Sequence, residues 1–100
     1  MNAYELVFTR AAAKEYEALD GTVRAMVNKG LAKLRTRPNE IGKPLSGSLS
    51  GCRELKFRSD GIRIVYRVRN GKIQIVDILA IGARDKGKVF HDAERRLGSL

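Results

Sequence analysis

Residues 51–69 alternate charged and apolar side chains on either side of Asp60-Gly61, and that alternation restricts the fold more than any other stretch of the chain. A period of two marks a strand with one face toward a core, and Asp-Gly between two such runs signals a hairpin. Leu55 and Phe57 then share a face with Ile62, Ile64, Tyr66 and Val68. Glu54, Lys56 and Arg58 take the other face, with Arg63, Val65, Arg67 and Arg69. Whether the turn falls on Ser59-Asp60 or Asp60-Gly61, Lys56, Arg58 and Arg63 stay together, and only a three-residue loop or a bulge would separate them. Like charges side by side on a sheet repel. Such a face is either the wet outside of a basic domain or a docking surface for phosphates, with arginine as bidentate partner and lysine as point charge.

The flanking segments specify what packs on this hairpin. Tyr4 to Phe8 alternates weakly and ends at Thr9, an N-cap residue, which predicts a strand and then a helix. Ala12, Tyr16 and Leu19 recur at helical spacing over residues 10–20, and Asp20-Gly21-Thr22 stops that helix and caps the next. Val23, Met26, Val27, Gly30, Leu31 and Leu34 form the core stripe of the second helix, leaving Arg24, Asn28, Lys29, Lys33 and Arg35 to solvent. Gly30 costs roughly 1 kcal/mol against alanine, so close packing on the first helix or the sheet is expected there. Arg37-Pro38 ends the helix. A polar loop over residues 38–50 follows, pinned by Leu45 and Leu49, with Lys43 free as a candidate phosphate contact.

Asn70-Gly71 signals a type I′ turn into a strand over residues 73–81 that is apolar on both faces and so covered on both. Asp77 within it requires an ion-pair partner that the sequence does not name. Gly87 places the start of a terminal helix near Lys88, whose narrow stripe of Val89, Ala93 and Leu97 predicts a weakly held element. Tyr66 reads as core, and Cys52 has no reactive role. The order βααβββα makes an α+β sandwich, an antiparallel sheet packed on an N-terminal helical hairpin and a C-terminal helix.

One hundred residues form a single domain over residues 1–100 with a modest core. Twenty Lys and Arg against eleven Asp and Glu give a net charge of +9, which points to nucleic acid or an acidic protein as partner. No apolar run reaches the length of a membrane span, and no signal-peptide pattern opens the chain. One cysteine excludes an internal disulfide framework and fits a reducing cytoplasm. One histidine and one cysteine without a carboxylate cluster make a poor metal site.

Lys43-Pro44-Leu45, Leu49-Ser50-Gly51, Glu54-Leu55-Lys56-Phe57-Arg58-Ser59, Gly61-Ile62-Arg63-Ile64-Val65-Tyr66 and Ile81-Gly82-Ala83-Arg84-Asp85-Lys86, running into Val89-Phe90 and Ala93, together resemble the RelE family of bacterial toxins. The likeness spans nearly the whole chain, and its Gly-x-Arg-Ile-Val-Tyr piece is shared with the wider RelE/ParE fold. The resemblance implies a ribosome-dependent mRNA endoribonuclease of a type II toxin–antitoxin module. Such an enzyme cuts the A-site codon by attack of the ribose 2′-hydroxyl on its own phosphodiester, leaving a 2′,3′-cyclic phosphate, with no metal or other cofactor. It also implies an antitoxin encoded in the same operon and a cytoplasmic location.

Carried over by motif, the family's catalytic-strand lysine falls on Lys56, and its arginines on Arg58, Arg63 and Arg84. A family lysine falls on Glu54 and a family tyrosine on Phe90. Arg63 and Arg84 would stabilise the charge on the phosphorane oxygens. Lys56, ringed by cations that disfavour its charged form, would act as general base. Lys43, Arg58, Arg67, Lys86 and Phe90 would bind RNA. With Phe90 unable to donate a proton, adjacent His91 is the candidate acid, and Glu54 with His91 an alternative acid–base pair. Glu54 more readily pairs with Arg63 or Arg67. Two other readings share the fold: a ParE-like DNA gyrase inhibitor, and an inactive homologue acting through its antitoxin in transcriptional autoregulation.

Overall fold

Two side-chain caps start the N-terminal helices. Thr9 Oγ1 accepts from the Ala12 N–H at 3.0 Å, and Asp20 Oδ1 from the Val23 N–H at 2.9 Å, each contributing about 1 kcal/mol. The computed structural model describes residues 3–57, 61–83 and 87–98. In chain order they form β1 (Glu5–Phe8), α1 (Arg10–Ala18), α2 (Gly21–Leu34), β2 (Lys43–Pro44), a 3-10 turn (Gly47–Leu49), β3 (Cys52–Lys56), β4 (Ile62–Arg69), β5 (Ile75–Ala83) and α3 (Lys88–Leu97). The sheet runs β1-β5-β4-β3-β2 and is antiparallel except for the parallel pair β1–β5.

The alternation of the hairpin decides which side each helix covers. Leu55, Phe57, Ile62, Ile64, Tyr66 and Val68 turn to one face and pack with Ala12 of α1 and Val27, Leu31 and Leu34 of α2. Gly30 lies against the sheet. A Cβ there would come within 2.5 Å of Phe57 Cζ, so the close approach offsets the cost of glycine in a helix. On the other face Cys52, Val65, Leu79 and Ala80 meet Leu49 and the α3 residues Val89 and Ala93. β5 is therefore covered on both sides, as its apolar run from Ile78 to Ile81 requires.

A bulge makes this double coverage possible. Val65 pairs with Ala80 and Tyr66 with Ile78, so Leu79 is an extra residue on β5. Before the bulge Val76 and Ile78 face the helical hairpin; after it Ile81 returns there, while Leu79 and Ala80 both enter the second cluster.

Five local expectations are revised. The regular part of α2 ends at Leu34, not at Arg37, because residues 35–37 tighten into a turn with the Arg37 and Thr36 N–H groups both on Lys33 O. The loop over residues 38–50 contains β2 and a 3-10 turn, and Pro44 is tolerated on an edge strand, where its missing N–H leaves no gap. No two-residue turn forms at Asn70-Gly71. β4 and β5 close at Arg69 and Ile75, the Asn70 side chain accepts from the Tyr4 hydroxyl at 2.8 Å, and Gln74 O accepts from the Glu5 N–H at 2.9 Å. Arg24 is not left to solvent, since its Nη2 donates to Glu17 O and Leu19 O at 2.7 and 2.8 Å and closes the C-terminus of α1.

The fifth revision concerns α3, whose apolar stripe is indeed narrow but is reinforced by charge. Arg96 grips Glu15 of α1 through two hydrogen bonds of 2.8 and 3.1 Å and donates to Leu79 O at 2.9 Å. Glu15 in turn accepts from the Ile81 N–H at 3.0 Å. β1 pairs only with residues up to Ile78, so these two side chains satisfy the backbone edge of β5 that β1 leaves open.

The loop before β2 is held by the Tyr66 hydroxyl and by Arg53, which donates to Ile41 O at 3.3 Å and to Gly42 O at 3.2 Å. Tyr66 is fully buried, and its OH lies 2.9 Å from Pro38 O and 2.8 Å from Ile41 O. Tyr66→Phe leaves both carbonyls without that donor, and should lower the urea-unfolding free energy by about 1–2 kcal/mol with an unchanged m value.

Candidate active site

Strand register gathers the functional side chains. Lys43 of β2 pairs opposite Glu54 of β3, and Lys56 of β3 opposite Arg63 of β4, so all four share the face that alternation assigned to charge. Together with Gly42 and Leu55 they line a cleft of about 380 Å³. Lys43 and Lys56 are exposed, and neither has an ion-pair partner among the described residues. Glu54 and Arg63 are each only 8% exposed, and Arg63 Nη1 donates to Glu54 Oε1. The Arg63 Nε is buried without a hydrogen-bond partner. A guanidinium held in place by Glu54 beside two lysine side chains without ion-pair partners among the described residues is suited to a phosphate, whose oxygens accept from several directions.

Gly42 forms the rim. Its φ is +78°, and a Cβ there would lie 2.5 Å from the Tyr66 hydroxyl and 2.8 Å from Glu54 O. Only glycine lets the loop lie this close to β3 and turn Lys43 toward the cleft. Sequence reasoning did not single out Gly42; its signal was a glycine directly before a proline-ended edge strand.

The remaining candidates are distributed elsewhere. Arg67 donates through Nε and Nη2 to Asp77 Oδ2 at 3.1 and 2.9 Å, and Arg69 to Oδ2 and Oδ1 at 2.7 and 2.9 Å. These are the partners that Asp77 required. Burial pushes the Asp77 pKa up, but the hydrogen bonds and charges of Arg69 and Arg67 outweigh it and hold the carboxyl below its ordinary value. Burial also pushes the Cys52 thiol up, against the charge of Arg67, which leaves it a poor thiolate. His91 is exposed on α3 and lines a separate depression with Asp92, Glu94 and Arg95, not the cleft. Phe90 is half-buried against the second core cluster. Arg58, Arg84 and Lys86 lie outside the described residues.

Residues 6–86 match the family described as the ParE toxin of type II toxin–antitoxin systems, parDE. The chain is 34% identical over 95 residues to the mRNA interferase toxin RelE of Escherichia coli (strain K12), spanning 95% of this chain and 98% of that one. Its fold is similar to a mutant of the E. coli toxin RelE in the free state, with a TM-score of 0.81 at 33% identity, covering 95% of this chain and 98% of that one. It is also similar to a chain of the intact E. coli RelBE toxin–antitoxin complex, with a TM-score of 0.62 at 34% identity over 81% of this chain and 96% of that one.

Asp77 and Asp92 give the fold an acid-sensitive component. Asp92 is held low first by its hydrogen bond from Lys88, and further by the charges of Lys88, Arg96 and Arg95, against burial. Carboxyls depressed in the native state stabilise it fully above their unfolded pKa of about 3.9, and that stabilisation is lost as pH falls through their lower native values. The urea midpoint should therefore drop steeply below about pH 4. Asp77→Asn should lower the midpoint at pH 7 and flatten the acid limb.

Proposed function

The chain belongs to the RelE family of the RelE/ParE toxin superfamily, and from that premise we propose that it is the toxin of a type II toxin–antitoxin module, an endoribonuclease that cuts mRNA in the ribosomal A site. The observation that carries the reading is the pairing of Lys56 with Arg63 across β3 and β4 in one cleft that Lys43 also borders. Its relatives are named mRNA interferases, at 34% identity over nearly the full chain. The complex of a related toxin with RelB supports a protein antitoxin as the second partner. With a net charge of +9, both an acidic antitoxin segment and RNA are matched electrostatically. No helix among the described residues is long and apolar enough to cross a membrane, and the proposed site of action is the cytoplasm, where the ribosomes are.

The chemistry follows from the side chains. The scissile phosphate enters the cleft with a nonbridging oxygen against the Arg63 guanidinium, whose rigid fork is already oriented by Glu54. The Lys56 amine takes the 2′ proton as the 2′-oxygen bonds to phosphorus. The bond from phosphorus to the 5′-oxygen then breaks, and the leaving oxygen takes a proton from solvent water, giving a 2′,3′-cyclic phosphate and a 5′-hydroxyl. Charge accumulates on the nonbridging oxygens in between, where a preorganised guanidinium is worth on the order of 10²–10³ in rate. Arg84, carried over by motif, belongs to the same role, and Lys43 steers the backbone of the flanking nucleotide.

A second reading rests on the matched family being described as a ParE toxin. A ParE-like protein would poison DNA gyrase by binding and would not need Lys56. Primer extension on mRNA bound to translating ribosomes separates the two. The purified chain should produce codon-phased cuts at the A site. Lys56→Ala and Arg63→Ala should each reduce cutting by on the order of 10²-fold or more. Absence of ribosomal cuts, together with gyrase-linked DNA breaks in growth-arrested cells, would reassign the protein to the second reading.

A further inference from the structure

Glu54 is an unexpected neighbour for a phosphate. It is the one carboxylate among the described residues lining the cleft, whose cations there are Lys43, Lys56 and Arg63. It pairs opposite Lys43 in the β2–β3 ladder, and on its other side it is bonded to Arg63 of the adjacent strand β4. A carboxylate so placed repels the incoming anion. It also fixes the guanidinium: Nη1 is engaged by Glu54 and Nε is buried, so the group is held at the wall of the cleft. The two effects oppose each other in binding and cooperate in turnover.

We propose that Glu54 is a positioning residue and internal counter-anion, which weakens ground-state binding of the RNA phosphate while holding Arg63 in the orientation that the transition state needs. This deepens the nuclease reading and rests on it for the turnover part. An interaction of this kind costs affinity but raises kcat, because only contacts stronger in the transition state accelerate the reaction. It assigns Glu54 no proton transfer. The 2′ proton goes to Lys56, and the carboxylate stays ionised and bonded to Arg63 throughout.

Charge and reach can be separated by two substitutions. Glu54→Gln keeps the length and one acceptor oxygen but removes the charge, whereas Glu54→Asp keeps the charge and loses one methylene of reach toward Arg63. Binding is read by fluorescence anisotropy with a single-stranded RNA oligonucleotide carrying 2′-O-methyl groups, which cannot be cleaved, over a range of salt. Turnover is read on mRNA-programmed ribosomes.

Glu54→Gln should bind the oligonucleotide about 3–10-fold more tightly. Its slope of log K against log salt should steepen by about 0.7, because one cation is released to the phosphates. Its kcat should fall about tenfold while KM also falls. Glu54→Asp should keep the wild-type salt slope and lose kcat alone. A residue that merely stabilised the fold would move neither the salt slope nor KM. Unchanged binding in Glu54→Gln, or a kcat loss of 10³-fold or more with disappearance of the acidic limb of the pH profile, would overturn the proposal, the latter in favour of general-base catalysis by Glu54. If the wild type cuts no ribosomal mRNA yet Glu54→Gln still tightens and steepens oligonucleotide binding, the nuclease reading fails and the counter-anion role in binding stands.

Discussion

A sheet covered on both faces can bury cations only where carboxylates meet them. Burying an ion without a partner costs several kcal/mol, and β4 alone brings three arginines to the face that α3 partly covers, Arg63 buried, Arg67 partly buried and Arg69 half exposed. The chain meets this with Glu54 for Arg63, Asp77 for Arg67 and Arg69, and Glu15 with Asp92 for Arg96. Each carboxylate comes from a different element, so the ion pairs also tie strand to strand and helix to helix. Arg96 joins α3 to α1 around the open edge of β5 and so reinforces the narrow apolar contact made by Val89, Phe90, Ala93 and Leu97.

This pairing separates structural from functional charge in a basic chain. Arginines with a carboxylate partner have their donors engaged and their geometry set. Lys43 and Lys56, at the end of the sheet where β2 and the β3–β4 hairpin converge, have no such partner among the described residues and face solvent. Arg63 belongs to both groups, paired with Glu54 through Nη1 and lining the cleft. A cleft built this way presents oriented charge on rigid strands, which is what electrostatic stabilisation of a phosphorane requires.

The hairpin register was legible because a period of two leaves no freedom: once Leu55 and Ile64 face a core, Lys56 and Arg63 must meet on the other side. The caps at Thr9 and Asp20 and the core role of Tyr66 were legible for similar local reasons. What escaped was set by distant contacts. The bulge at Leu79 is invisible in a run where every residue is apolar. Asn70-Gly71 reads as a tight turn until Tyr4 claims the asparagine side chain. Glu15 and Arg96 are 81 residues apart, and no pattern links them. His91 was drawn toward the site only by its closeness in sequence to Phe90; on α3 it points into a different depression.

The most direct test of this division of charge is to measure unfolding free energy in urea and cleavage of ribosome-bound mRNA on the same preparations of four variants, Arg67→Ala, Arg96→Ala, Lys43→Ala and Lys56→Ala. The two arginine variants should lose about 2 kcal/mol or more of stability and, assayed where they remain folded, cut at a rate within about threefold of wild type. The two lysine variants should stay within about 0.5 kcal/mol of wild type and lose cutting, about tenfold for Lys43→Ala and on the order of 10²-fold or more for Lys56→Ala. Full activity in Lys56→Ala, or loss of cutting in Arg67→Ala at undiminished stability, would contradict it.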